Sequence, residues 1–344
     1  MTTDDVSRAC ADAALRAGRA IRALVHAMPP TERGRPTRSL LKLAGGYGAR
    51  HVDAEAEAVG LAHLERLASE VGVGIDILVD AATHTVHRIG RRDGARIVAT
   101  MDVIDGTVKV AGLGPAFPDR VRLANDGGWA AAFAFTRPTD APFDELVLGD
   151  FVTAVVVDGN PTVHRTYPQD VITVAAGDGS ATFEDIAGER RRTFTTSSDA
   201  LHELWVALDV FQAYDVDTRQ PGDDRVGIEL YRLLTDRHGG GAFDVLRQYA
   251  NLSALTRLLL GWREPPVWVE SQGAAFVVVN ENIPNLIPAV TVVAGAGGLS
   301  VDFDGRPLRA RRLAAGRTST VHAANEPLCQ RILALVTTAR SHAK

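Results

Sequence analysis

Cysteine is scarce in this chain: two residues in 344, Cys10 and Cys329, both in helix-like stretches and without metal-ligand spacing. They exclude a disulfide framework or a thiolate zinc cluster, and their simplest role is as core thiols in a reducing compartment. Long apolar runs are missing as well. The run from Val267 to Val279 is broken by Glu270, Ser271 and Gln272, and nothing reaches the length of a membrane span. Positive charge is not in excess. A net charge of -5 and a pI near 6.1 argue against a nucleic-acid-binding surface. The basic clusters Arg190-Arg191-Arg192 and Arg309 to Arg312 are short enough to be solvated loops. The first residues carry Asp4 and Asp5 and no apolar h-region, so a secretory signal is not expected. These absences predict a cytoplasmic protein with neither nucleic acid nor membrane as a partner.

What is present is the composition of an ordinary globular protein, 46% hydrophobic and 23% charged, with enough chain to bury a large core. Helical spacing of Ala9, Ala13, Ala17, Ile21, Leu24 and Val25 predicts a helix from Val6 to Met28, ended by Pro29-Pro30. A polar loop over Thr31 to Arg38 follows, then a second helix over Asp53 to Glu70. Gly74 to Asp80 (GIDILVD) reads as a buried strand ending in an acid, and His84 to Asp93 as a polar hairpin. Apolar, β-branched runs at Gly127 to Thr136, Leu146 to Asp158 and Val171 to Ala176 predict sheet strands. Asp199 to Tyr214, Val226 to Arg237 and Ala242 to Leu260 read as helices, with Pro221 to Asp224 as a loop and Gly239-Gly240-Gly241 as a joint. The alternation of helix and sheet restarts past about Glu184. Residues 1–183 and 184–344 are therefore expected to form two halves of one compact unit.

The most specific chemical signal lies in Ala99 to Gly114, ATMDVIDGTVKVAGLG: two aspartates three apart, then Gly-Thr, at the end of an apolar run. Two carboxylates unpaired inside an apolar core would be prohibitively costly, so Asp102 and Asp105 belong at a sheet's edge, where they need a cation. Gly106 permits a sharp turn and close approach to a ligand, and Thr107 adds a hydroxyl beside exposed N–H groups that can cradle an anion. Cation plus oxyanion suggests a metal-bound phosphate. From these six residues alone, an Asp-rich turn fits equally well, since Asp and Gly are common turn residues.

The segment resembles the D-P-(I/L)-D-G/S-T signature of the inositol monophosphatase and fructose-1,6-bisphosphatase superfamily of Mg-dependent, lithium-sensitive phosphatases. Val103 stands where the family has proline, which removes a stiffener and not a ligand. Further matches are Lys42, Asp53 and Glu57, with Val52 for the usual threonine, and Gly297-Gly298 with the following Leu299 to Leu308. The resemblance implies a layered αβαβα sandwich combining an α+β half with an α/β half, the fold of the family's sugar phosphatases, and a homodimer. It assigns Asp80 (alternatively Asp76, because the register is loose), Asp102, the Ile104 carbonyl and Asp105 as Mg²⁺ ligands, for two or three ions. Asp53 and Thr107 would activate water, with Lys42 in the loop before them, while Gly106 and Thr107 would hold phosphate. Counting back from the glycine pair sets Asn285 over the aspartate that binds the second metal. Glu270 falls where a substrate-facing acid would, and a surface strand residue is an equal reading of it.

The function so implied is hydrolysis of a phosphate monoester on a small polyol, sugar or nucleotide. Three candidate carboxylates stand where the family has four, which leaves two alternatives: a weakened scaffold that binds a phosphorylated ligand, or a biosynthetic enzyme with altered phosphate chemistry.

Overall fold

A computed structural model describes residues 2–37, 50–78, 86–106, 110, 129–159, 170–174, 180–184, 190–195, 197, 205–209, 223–235, 244–247, 261–264, 267–269, 273–313 and 316–343. Helix α1 (Thr3–Ala27) starts at a capping box, in which Thr2 and Asp5 satisfy each other's backbone N–H groups. Its alanine-rich face packs on α3 (His51–Val71). Between them, part of the expected loop is the helical turn α2 (Pro30–Arg33), where proline at the first helical position fixes φ without losing a needed donor.

Among the described residues, ten strands form one sheet in the order β12-β11-β8-β7-β6-β5-β4-β3-β1-β2. They are β1 (Gly74–Leu78), β2 (Val86–Ile89), β3 (Arg96–Asp105), β4 (Ala130–Thr136), β5 (Phe151–Asp158), β6 (Asp170–Val174), β7 (Ala181–Glu184), β8 (Arg190–Phe194), β11 (Gly261–Glu264) and β12 (Val267–Val269). All neighbours are antiparallel except β1 and β3, which run parallel. A second, five-stranded sheet has the order β10-β9-β13-β15-β14: β9 (Trp205–Asp209), β10 (Asp244–Arg247), β13 (Gly273–Asn282), β14 (Leu299–Asp302) and β15 (Arg317–Ala323).

Strands β9 and β10 correct the expectation of helices over Asp199 to Tyr214 and Ala242 to Leu260. A short apolar run such as Trp205 to Leu208 has no period that separates a buried strand from a buried helix. Parallel pairing with β13 on one side and β10 on the other settles β9 as a strand, and strands so enclosed read as continuous apolar runs.

Helices α4 (Asp223–Thr235), α5 (Ile283–Gly295) and α6 (Glu326–His342) complete the layers. Helix α5 is apolar all round and lies between the two sheets, touching β3 to β7 on one side and β13 to β15 on the other. Ala130, Ala132 and Ala134 of β4 face it, whereas Ala131, Phe133 and Phe135 face α1 and α3. Helices α4 and α6 cover the outer face of the small sheet. The sequence of layers is αβαβα, as expected. No helix among the described residues is long and apolar enough to cross a membrane. Cys10 and Cys329 are buried, and burial pushes their thiols up to about 12 and about 11.

One buried polar group in the small sheet gives the fold a pH dependence. The His322 ring on β15 is fully enclosed, with Nδ1 2.8 Å from the Ser300 hydroxyl, Nε2 3.3 Å from that of Thr320, and Phe276 stacked on its face. Burial lowers its pKa to about 3. An unfolded histidine titrates near 6.5, so from about 6.5 down towards 3 the unfolded chain binds a proton that the folded chain excludes. Stability is therefore lost as pH falls through this window, by about 1.4 kcal/mol per pH unit from this group. Urea unfolding of wild type and His322→Asn should show that contribution missing from the variant, which starts less stable at pH 7. Equal slopes would mean that folded His322 accepts the proton.

Candidate functional site

The two motif aspartates lie on the same face of the large sheet because β3 is irregular between them. Residues three apart on a regular strand point to opposite faces. Here Asp102 pairs with Ala132 and Asp105 with Ala130, so three steps on β3 match two on β4. The extra residue turns both aspartates to the face shared by Ala130 and Ala132, the face against which α5 packs. Ile104 is rotated the other way, into the core under α1 and α3. Asp105 is 8% exposed and Asp102 half-buried. The strand ends at Gly106, whose φ of 99° is the left-handed conformation expected of it, and whose carbonyl accepts the Val110 N–H at 3.2 Å.

Asp53 approaches from the other layer. It is the third residue of α3, two residues inside the helix start; Arg50 is the N-cap, and its N–H donates to Asp53 Oδ2 at 2.9 Å. Helix α3 turns back through Gly72 into β1, which is parallel to β3, so α3 runs against β3. They pack closely at Gly60, where an added Cβ would meet Met101 Sδ at 2.5 Å. Two helical turns before Gly60, the N-terminal end of α3 thus reaches the C-terminal end of β3. Asp53 is 1% exposed and Glu57, one turn on, is also buried.

The third contribution comes from the junction of β13 and α5, and it includes an acid that sequence reasoning missed. Asn285 is in the first turn of α5, where its Nδ2 donates to Glu281 Oε1 at 3.0 Å. The Asn282 N–H donates to the same oxygen at 2.8 Å. Glu281 is 4% exposed, and burial foremost raises its pKa, with the charge of Asp102 adding to the rise. The Asn282 N–H, the Asn285 amide and the Arg317 guanidinium oppose it. A second irregularity aims this residue: Val278 pairs with Thr320 but Glu281 with Thr318, again three steps against two. Asn280, inside it, has φ 56°, the one non-glycine residue with positive φ among the described residues, at a cost of about 1–3 kcal/mol. Ser319 Oγ accepts its N–H at 3.0 Å, and Arg317 donates to its carbonyl and to Asn282 Oδ1. The signal for Glu281 was its isolation, as the one charged residue between Gly273 and Val301.

Asp76 is not at the site. It faces Arg88 across β1 and β2 and lies beside Val98, well before the end of β3. Its two oxygens bind Arg96 Nε at 2.7 Å and Arg88 Nε at 3.1 Å, so it holds the sheet's edge together. Lys42, Asp80, Thr107 and Glu270 lie outside the described residues. Among the described residues no three acidic, histidine or cysteine side chains are drawn together as a complete metal cage. The carboxylates of Asp102 and Asp105 offer oxygen ligands, the chemistry that suits a hard divalent cation. With 5% exposure and two arginine partners, Asp76→Asn should lower unfolding free energy by about 1–3 kcal/mol, because two guanidinium groups lose their counter-charge. Divalent-metal binding measured by calorimetry should stay at the wild-type value; its loss would return Asp76 to the site.

No protein-family model matches the sequence, and no curated protein matches it. Solved structures do. A fructose-1,6-bisphosphatase from Leishmania major has a TM-score of 0.63 at 13% identity, over 96% of this chain and 93% of that one. The IMPase of Thermotoga maritima has a TM-score of 0.59 at 12% identity, over 97% and 98%. An inositol monophosphatase from Zymomonas mobilis has 0.57 at 18%, over 98% and 99%. The chain has the fold of the inositol monophosphatase and fructose-1,6-bisphosphatase superfamily over nearly its whole length.

Proposed function

We propose that the protein is a Mg²⁺-dependent phosphomonoesterase acting on a small phosphorylated polyol, sugar or nucleotide. The observation that carries this reading is the irregular step in β3, which turns Asp102 and Asp105 to one face at the end of the strand. A plain Asp-rich turn has no use for that arrangement. The similar structures are named as phosphatases, and the fold shared with them supports the same chemistry here.

Asp102, Asp105 and the Ile104 carbonyl would hold Mg²⁺, with Asp80 as a further ligand by resemblance. Bound there, the ion would neutralise phosphate charge and lower the pKa of a water. Asp53, buried and accepting the Arg50 N–H, would take a proton from that water together with the Thr107 hydroxyl, as the resemblance assigns. The N–H groups of Gly106 and Thr107 would hold the phosphate oxygens, the first presented by the positive φ of Gly106. Lys42 and Glu270 would serve the reaction and the substrate as the resemblance assigns them.

A phosphate-release panel with Mg²⁺, covering inositol phosphates, fructose 1,6-bisphosphate, sugar 1-phosphates and 3′-phosphoadenosine 5′-phosphate, tests the proposal. Turnover of at least one class, abolished by Asp105→Asn, is the expected result. The metal-free Asp105→Asn protein should melt at or above the wild-type temperature, because a charge leaves a group of like charges. Thr107→Ala should lower turnover by roughly 10²-fold with little change in Mg²⁺ affinity. Phosphate binding without release across the panel would favour the scaffold reading, to which Asn285 in place of an aspartate lends support.

A further inference from the structure

We infer that Thr100 is a positioning residue for Asp102, its buried hydroxyl donating to the Asp102 carboxylate when that carboxylate holds a cation. The inference rests on the metal-dependent reading above and adds to it a residue upstream of the Asp-Gly-Thr motif.

The observation behind it is an orphaned hydroxyl. Thr100, on β3, is 2% exposed, and its Oγ1 has no hydrogen-bond partner. A hydroxyl buried in that way is costly, and a valine of the same shape would carry no such cost. Its place on the strand shows what it can serve. From Ala99 to Asp102, β3 pairs residue for residue with β4, Thr100 opposite Ala134 and Asp102 opposite Ala132. Both side chains therefore stand on the face covered by α5, two residues apart. The neighbours of Thr100 on that face are Val98 and Asp102 along β3, Leu78 across on β1 and Ala134 across on β4. Of these four, only Asp102 carries a polar group. Helix α5 contributes two polar side chains, Asn285 and Thr291, and both donate elsewhere, to Glu281 and to the Ile287 carbonyl.

A hydroxyl is suited to the task. Side chains on a strand lean along its direction, so rotation about χ1 turns Oγ1 towards the residue two further on. A hydroxyl donating to a carboxylate makes a charge-assisted bond and leaves lone pairs free for a cation. Such a bond fixes the rotation of the carboxylate, and the loss of an outer donor of this kind typically lowers metal affinity by about 10–100-fold. The regular pairing of β3 with β4 lasts through Asp102, and the register shifts only beyond it. Thr100 is thus anchored in the ladder immediately before the irregular step.

Mg²⁺ binding to the full-length protein, followed by calorimetry and by the melting temperature with and without EDTA, tests the inference without relying on turnover. Wild type should bind Mg²⁺, and Asp102→Asn should abolish binding. Thr100→Val should bind Mg²⁺ about tenfold more weakly while the metal-free protein melts at or above the wild-type temperature. Thr100→Ser, which keeps the hydroxyl, should stay within about twofold of wild-type affinity although it melts lower for want of the methyl group. Wild-type affinity in Thr100→Val, with binding lost in Asp102→Asn, would overturn the inference and leave the metal-dependent reading standing. Equal losses of affinity in Thr100→Val and Thr100→Ser would overturn it too, since the hydroxyl would then be irrelevant. No Mg²⁺ binding by wild type would overturn both. Should Thr100→Val fail to fold, Thr100→Ala decides against Thr100→Ser, because both lack the methyl group and only the alanine lacks the hydroxyl. Weaker binding by the alanine variant supports the inference, and equal affinity contradicts it.

Discussion

Like charges brought together inside an apolar junction are the constraint on which this structure turns. Asp102 and Asp105 at the end of β3 and Glu281 at the end of β13 are carried by different sheets, each on a strand whose register shifts where the acid stands. A sheet alternates its side chains strictly, so neither strand could present these acids without breaking its own register. Both strands do so by the same means, one residue more than the partner strand. In β3 the turn that follows is made by glycine, and in β13 the strain falls on Asn280.

The rest of the fold holds that junction rigid. Helix α5 has no polar face because both its sides are covered, and the small side chains of Ala130, Ala132 and Ala134 let it approach the large sheet closely. Its first turn therefore lies where the ends of β3 and β13 meet. On the opposite face of the large sheet, α3 packs against Met101 and Val103 at Gly60, two helical turns beyond Asp53. The His322 cluster and the Asp76 ion pairs are remote from the junction and serve the sheets themselves.

The sequence was legible wherever a local pattern carried the information. The helical spacing of Ala13, Ala17 and Ile21 marked α1, and the Asp-Gly-Thr stretch marked the end of β3. It was not legible where tertiary pairing decided, as at Trp205 to Asp209, whose parallel neighbours come from distant segments. Asp76 stood as an alternative to Asp80 because an acid in an apolar strand satisfies a metal or an arginine equally well, and only the positions of Arg88 and Arg96 distinguish the two. Glu281 was passed over because its burial and its bonds to Asn282 and Asn285 follow from the register shift in β13, which leaves no mark in the local pattern.

The most direct test of the account is a crystal structure of the protein grown with Mn²⁺ in place of Mg²⁺, with anomalous scattering locating the ions. An ion with Asp102 and Asp105 oxygens at about 2.0–2.4 Å, in the space between the end of β3 and the first turn of α5, is the result predicted. Ordered Asp102 and Asp105 side chains with no anomalous peak between them at millimolar Mn²⁺ would contradict it.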